Sequence, residues 1–216
     1  MIIDAVVGPD ERPLLVAASE QLSECLGAAH GSPFPLRLAL RRTTAEIAAP
    51  GARQIVVLSM LGDAVSQRPL QQVESFLHGS IQALGGAPEH VIVCTVFRHV
   101  AMHGGDSARS AEALRERIRR LNLLAIGLSQ SLGISVADID RLFAHLGGRA
   151  LRTDHRLQGS IAAEVAGYAI ATAALTALED ALDADLVERA RDALGPVWGI
   201  EALLRRRLGE GWAHAA

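Results

Sequence analysis

The feature that most restricts this chain is a pair of uninterrupted apolar, largely β-branched runs, IVVLSM at residues 55–60 and VIVCTVF at residues 91–97. A strand with one wet face alternates polar and apolar residues, whereas a continuous run marks a strand covered on both faces. Such strands belong to parallel sheets enclosed by helices. Shorter apolar runs at 2–7, 36–40 and 135–139, with the longer ones extended to 54–60 and 91–97, give five predicted strands. Segments of helical period lie between them. Leu14, Leu15, Ala18, Leu22, Cys25 and Leu26 share one face of the first, Leu70, Val73, Phe76, Leu77, Ile81 and Leu84 of the second, and Leu114, Ile118, Leu121, Ala125, Leu128 and Leu132 of the third. Gly27, Gly85 and Gly133 follow the last apolar residue of each, where a left-handed cap costs glycine least. A fourth helix is predicted over 158–182. It is dominated by alanine, so close packing on the sheet is expected.

The predicted fold is therefore α/β, a three-layer α/β/α domain over residues 1–182 with a mainly parallel five-stranded sheet of flavodoxin-like kind. A C-terminal helical extension, 183–216, is either packed on this domain or used as an interface. Both tryptophans lie in the extension. Trp198, Leu204 and Trp212, beside Arg205, Arg206 and Arg207, are the residues through which a second copy or a protein partner would be held.

Charge and composition remove several functions. The 216 residues carry 21 basic against 24 acidic side chains, a formal charge of −3, with no basic tract, so nucleic acid is not an expected partner. Every basic side chain is arginine, which excludes Schiff-base lysine chemistry and a phosphate-loop lysine. Cys25 and Cys94 lie in apolar runs without CxxC or histidine companions and read as core residues. No secretion-signal pattern opens the chain and no apolar run reaches membrane-spanning length, so a cytoplasmic location without membrane contact is expected. No cofactor is expected: the first strand is not followed by a glycine-rich phosphate loop, and aromatics to stack a flavin are few.

In an open parallel sheet, ligands bind beyond the carboxyl ends of the strands. Those ends carry Gly8-Pro9-Asp10, Arg41-Arg42-Thr43-Thr44, Leu61-Gly62-Asp63, the loop from Arg98-His99 to Ser107, and the stretch leading to Thr153-Asp154-His155. Strand-Leu61-Gly62-Asp63-helix, then RRLNLLAIGLSQSLGISVADIDRLF, then Asp154-His155 ahead of an alanine-rich helix resembles the later two thirds of an SGNH (GDSL-type) hydrolase. The resemblance covers residues 1 to about 180. It implies a three-layer fold with a serine nucleophile after the first strand, oxyanion donors from a glycine and an asparagine after the second and third, and an Asp-x-x-His element before the last helix. The implied chemistry is cleavage or transfer of an ester or acyl group.

This chain departs from that pattern at each motif. Gly8-Pro9-Asp10 stands for Gly-Asp-Ser, Gly62-Asp63 for Gly-x-Asn-Asp, and adjacent Asp154-His155 for Asp-x-x-His. The leading expectation is an ester or acyl hydrolase or transferase with His155 as base, Asp154 as its orienter, Gly62 giving a backbone donor, Asp63 as a cleft acid and Ser107 as nucleophile. The alternative is a catalytically degenerate relative that binds a ligand in the same cleft or supports a partner enzyme. Gly8, Arg41, Arg42, His99 and His103 complete the expected ligand-binding set, the arginines suiting an anionic group. Gly105-Asp106-Ser107 also reads as a helix cap, and Asp63 reads equally as a cap for the helix after it. His99 and His103 lack the glutamate of a zinc-protease helix, so no metal is expected. Asp138 and Asp140 are expected on opposite sides of a short strand or its exit.

Overall fold

The computed structural model describes residues 1–47, 54–85, 90–101, 108–147, 151 and 153–195. Five strands, β1 (Ile2–Val6), β2 (Arg37–Arg41), β3 (Gln54–Ser59), β4 (Val91–Cys94) and β5 (Ser135–Ala137), form one all-parallel sheet in the order β2-β1-β3-β4-β5. Ile3 pairs in register with Leu38 on one side and Ile55 on the other, and Leu58 with Val93. The connecting helices are α1 (Arg12–His30), α2 (Leu61–Val65), α3 (Leu70–Leu84), α4 (Ala108–Leu132), α5 (Ile139–Leu146), α6 (Ser160–Ala177) and α7 (Ala184–Leu194).

Strand alternation divides the core into two. Ile3, Ala5, Ile55, Val57, Ile92, Cys94 and Ala137 face α1, α5, α6 and α7. Val56, Leu58, Val91 and Val93 face α3 and α4, where Leu77, Ile81, Ile118 and Leu121 meet them. β3 is thus fully covered on both faces, as its uninterrupted apolar run requires. Cys25 and Cys94 are free and buried; burial raises the Cys25 thiol to about 11 and pushes the Cys94 thiol higher still.

α6 packs against α1 as well as against the sheet, and the crossing is made at Gly167. A methyl group there would stand 2.8 Å from both Ala17 Cβ and Ala18 N. α6 meets the length and hydropathy of a membrane span, which the sequence reading did not anticipate, but 72% of it is buried as the core helix of the domain.

Helix and strand ends differ from the sequence expectation in places, while the start of the extension follows it. Helix α1 runs past Gly27 to His30 and is capped by Gly31 at φ +77°. Gly27 lies inside the helix, where a Cβ would make ordinary contact with the Ser32 carbonyl at 3.4 Å, whereas Gly85 and Gly133 do sit at positive φ after their helices. The predicted fourth strand, 91–97, stops at Cys94 and the fifth at Ala137; Asp138 caps α5 by accepting from Arg141 N, and Asp140 lies inside α5. The extension begins as α7, whose Val187 and Ala190 are buried in the α1 and α6 layer. Trp198, Leu204, Trp212 and Arg205 to Arg207 lie outside the described residues, as do Gly105, Asp106 and Ser107.

Candidate functional site

The chain leaves β1 toward β2 and leaves β3 toward β4, so neighbouring strands β1 and β3 send their connections in opposite directions. This reversal opens a crevice beyond their carboxyl ends, the usual ligand position of an open α/β sheet. Here it is a cleft of about 320 Å³, whose polar wall includes Gly8, Glu11, Arg42, Ser59, Asp63 and Arg68 and whose apolar wall includes Val6, Leu58 and Phe76.

Glu11 is the innermost of these groups. Gly8 is extended, and the single helical turn Pro9–Glu11 swings the Glu11 side chain back toward the sheet, where the residue is only 6% exposed. Gly8 N–H donates to Glu11 Oε2 at 2.8 Å, and the Ser59 hydroxyl donates to Glu11 Oε1. A side chain at position 8 would crowd that carboxyl, its Cβ only 3.2 Å from Oε2. Burial raises the Glu11 pKa against the lowering effect of these two hydrogen bonds, with nearby Asp10 adding to the rise. Ser59 ends β3 half-buried, and Leu61 N–H donates to its Oγ at 3.0 Å, so the hydroxyl has one acceptor and one donor partner in fixed places.

Asp63 forms the outer acid. Burial raises its pKa, opposed by Arg68, whose guanidinium lies 3.6 Å from Oδ1, and by Arg117. Arg117 reaches across from α4 and donates to the carbonyls of Asp63 at 2.8 Å and Arg68 at 2.6 Å and to Ser66 Oγ at 3.2 Å. It fixes the backbone that carries both cleft groups. Arg68 also lies 5.2 Å over the Phe76 ring, a cation–π contact that holds the charge at the cleft wall.

A second polar cluster lies beyond β4. His155 and Asp154 are both buried, and the His155 backbone N–H donates to the His99 carbonyl at 2.7 Å. His155 Nδ1 lies 3.8 Å from Asp154 Oδ2. The Asp154 carboxylate is claimed more closely by Arg156, whose Nη2 approaches Oδ2 at 2.6 Å. Burial acts to raise the Asp154 pKa, but the bonds from Arg156, with smaller help from His155 and the Arg156 charge, bring it below the ordinary value. The residue three after Asp154 is Leu157, buried and at φ +52°, an unusual backbone for a non-glycine residue. The extended segment after β4 is pinned by Asn122 of α4, which accepts from Val96 N at 2.8 Å and donates to Val96 O at 2.9 Å. Asp140 anchors the same segment further on, accepting from Arg98 N at 3.0 Å.

Of the residues singled out from sequence, Gly8, Gly62, Asp63 and Arg42 share the β1/β3 cleft. His99, Asp154 and His155 gather in the second cluster and do not line that cleft. Arg41 turns away from both sites. Its Nε lies 2.5 Å from Asp4, a buried β1 carboxylate that also accepts from Gln54, so it is a structural partner and not an anion ligand. His103 and Ser107 lie outside the described residues. Among the described residues no group of three or more His, Cys, Asp or Glu could hold a metal ion.

Glu11 and Ser59 were missed by the sequence reading. An acid in the first turn of a helix looks solvated, and a serine inside an apolar strand looks incidental; only their long-range contact marks them. A larger open groove, about 700 Å³ and mainly apolar, lies along β5 between α5 and α6, but its carboxylate, Asp138, is spent on capping α5. No family model matches the chain, and neither a curated protein nor a solved structure shows significant similarity to it.

Proposed function

We propose that this chain is an SGNH-hydrolase-like protein that acts on an ester or acyl group bound in the cleft beyond β1 and β3. The observation that carries the reading is the convergence of Gly8, Glu11, Ser59, Gly62 and Asp63 on one cavity at the sheet's reversal point. Its volume of about 320 Å³ lies at the small end of ligand sites. The apolar wall suits a short acyl chain, and the acids and arginines suit the polar end of an ester.

A second reading, a relative that binds such a ligand without cleaving it or supports another enzyme, is favoured by the Asp154–Arg156 pair. A carboxylate engaged by a guanidinium at 2.6 Å is poorly placed to orient a histidine.

The test uses short p-nitrophenyl esters with purified protein and with a Gly62→Trp variant. Gly62 lines the cleft, and a Cβ there would meet no atom within 4 Å, so a tryptophan adds bulk at the cleft wall and spares the core. The hydrolase reading expects turnover in the native protein and its loss in Gly62→Trp. Saturable binding without turnover, lost in the same variant, supports the second reading. Neither turnover nor binding rejects both.

A further inference from the structure

We infer that Ser59 is the acyl-accepting nucleophile of this cleft and Glu11 its general base; the assignment rests on the ester or acyl reading above. Sequence reasoning placed the nucleophile at Ser107 and the base at His155. The cleft itself contains a different hydroxyl already bonded to a proton acceptor. Ser59 Oγ donates to Glu11 Oε1, both residues line the cavity, and each is fixed by a further bond, from Leu61 N–H at 3.0 Å and Gly8 N–H at 2.8 Å. Nucleophile and base within hydrogen-bond reach, with the base held by a third group, is the arrangement activated hydroxyls require. An ordinary carboxylate is a weak base, but burial makes Glu11 a stronger one.

The chemistry balances without any added reagent. Ser59 Oγ attacks the ester carbonyl as its proton passes to Glu11, giving a tetrahedral oxyanion. Arg68 and Arg42 are the cations lining the cavity that can face this charge. Collapse breaks the bond to the alkoxy group, which leaves as the alcohol with the proton from Glu11, and the acyl group remains on Ser59. Water then attacks the acyl-serine, Glu11 takes its proton and returns it to Ser59 Oγ, and the carboxylic acid is released. Among the described residues, the charged and titratable groups near Glu11 include Asp10 on its own turn, Arg12 next in sequence, Cys94 of β4, and the cleft residues Asp63, Arg42 and Arg68.

The experiment combines ester hydrolysis with labelling by a fluorophosphonate and peptide mass spectrometry. The expected label is on Ser59. Ser59→Ala should lose the label and lower kcat/KM by at least about 100-fold, and Glu11→Gln should lower it by about 10²–10⁴-fold, the range of general-base removal. Ser59→Cys should keep a measurable acylation burst, which separates loss of the nucleophile from loss of the fold. His155→Ala should retain turnover. Native turnover that survives in Ser59→Ala but is lost in Gly62→Trp overturns this assignment while leaving the cleft reading standing, and a label on Ser107 overturns the assignment. A native protein inert to both esters and probe rejects the cleft reading and the assignment together.

Discussion

Gly167→Ala tests the seam between α1 and α6. The added methyl carbon would lie 2.8 Å from Ala17 Cβ, 2.8 Å from Ala18 N and 3.0 Å from Ala17 C. Carbon atoms rest at about 3.5–4.0 Å, so the helices must part by several tenths of an ångström or more. Two of the three obstructing atoms are backbone, and rotating a side chain cannot relieve them. Overpacking costs about 1–3 kcal/mol, and obstruction by backbone puts this position at the upper end, about 2–3 kcal/mol, of which the better helix propensity of alanine returns about 1 kcal/mol. The expected net destabilisation is about 1–2 kcal/mol, a fall in Tm of roughly 2–8 °C for a chain of this size. Thermal unfolding followed by circular dichroism reads it directly. Gly127→Ala is the control: it lies in α4 with nothing within 4 Å of the new carbon and should be neutral or stabilised by up to about 1 kcal/mol. A Gly167→Ala protein that melts at or above the native temperature refutes the reasoning, because the two helices would then not touch through their backbones.

Two further outcomes follow from the site. Asn122→Ala strands the Val96 N–H and carbonyl, which lie in a residue only 4% exposed, and should cost about 2–4 kcal/mol in urea unfolding; Asn122→Asp keeps the acceptor alone and should fall between. Asp154 has a folded pKa below its unfolded value, so its contribution is present above about pH 4 and is lost as pH falls through the folded value. Urea midpoints measured from pH 5 down to pH 2 should therefore drop more steeply for the native protein than for Asp154→Asn, and parallel curves would contradict the Arg156 clamp.

The sheet was legible because burial on both faces writes itself into consecutive residues: the cores of β3 and β4 need no partner information to be read, although the apolar run 91–97 continues buried past the strand end at Cys94. Helix ends were legible where glycine adopts positive φ, at Gly85 and Gly133, and misleading at Gly27, which sits inside α1 while Gly31 supplies the left-handed cap. α5 was missed because its eight residues follow β5 immediately, and Asp138 looks the same at a strand exit as at a helix start. At the site, loop positions after strands could be read from periodicity, and Gly8, Gly62 and Asp63 were found that way. The Glu11–Ser59 contact joins residues 48 apart, and neither local spacing nor composition encodes which side chain a turn will fold inward. Arg41 shows the converse. Its neighbour Arg42 faces the cleft, while strand alternation sends Arg41 to Asp4, a partner identifiable only once β1 and β2 are known to be adjacent.

The two enclosed cysteines have a practical consequence. Thiol reagents attack the thiolate, and both native sulfurs are shielded from solvent and held protonated at neutral pH. A maleimide dye should thus ignore the natural protein. One cysteine introduced at a surface position such as Leu123, which is 67% exposed, would then be a unique attachment point, and fluorescence from it could report ligand capture without first removing either native cysteine.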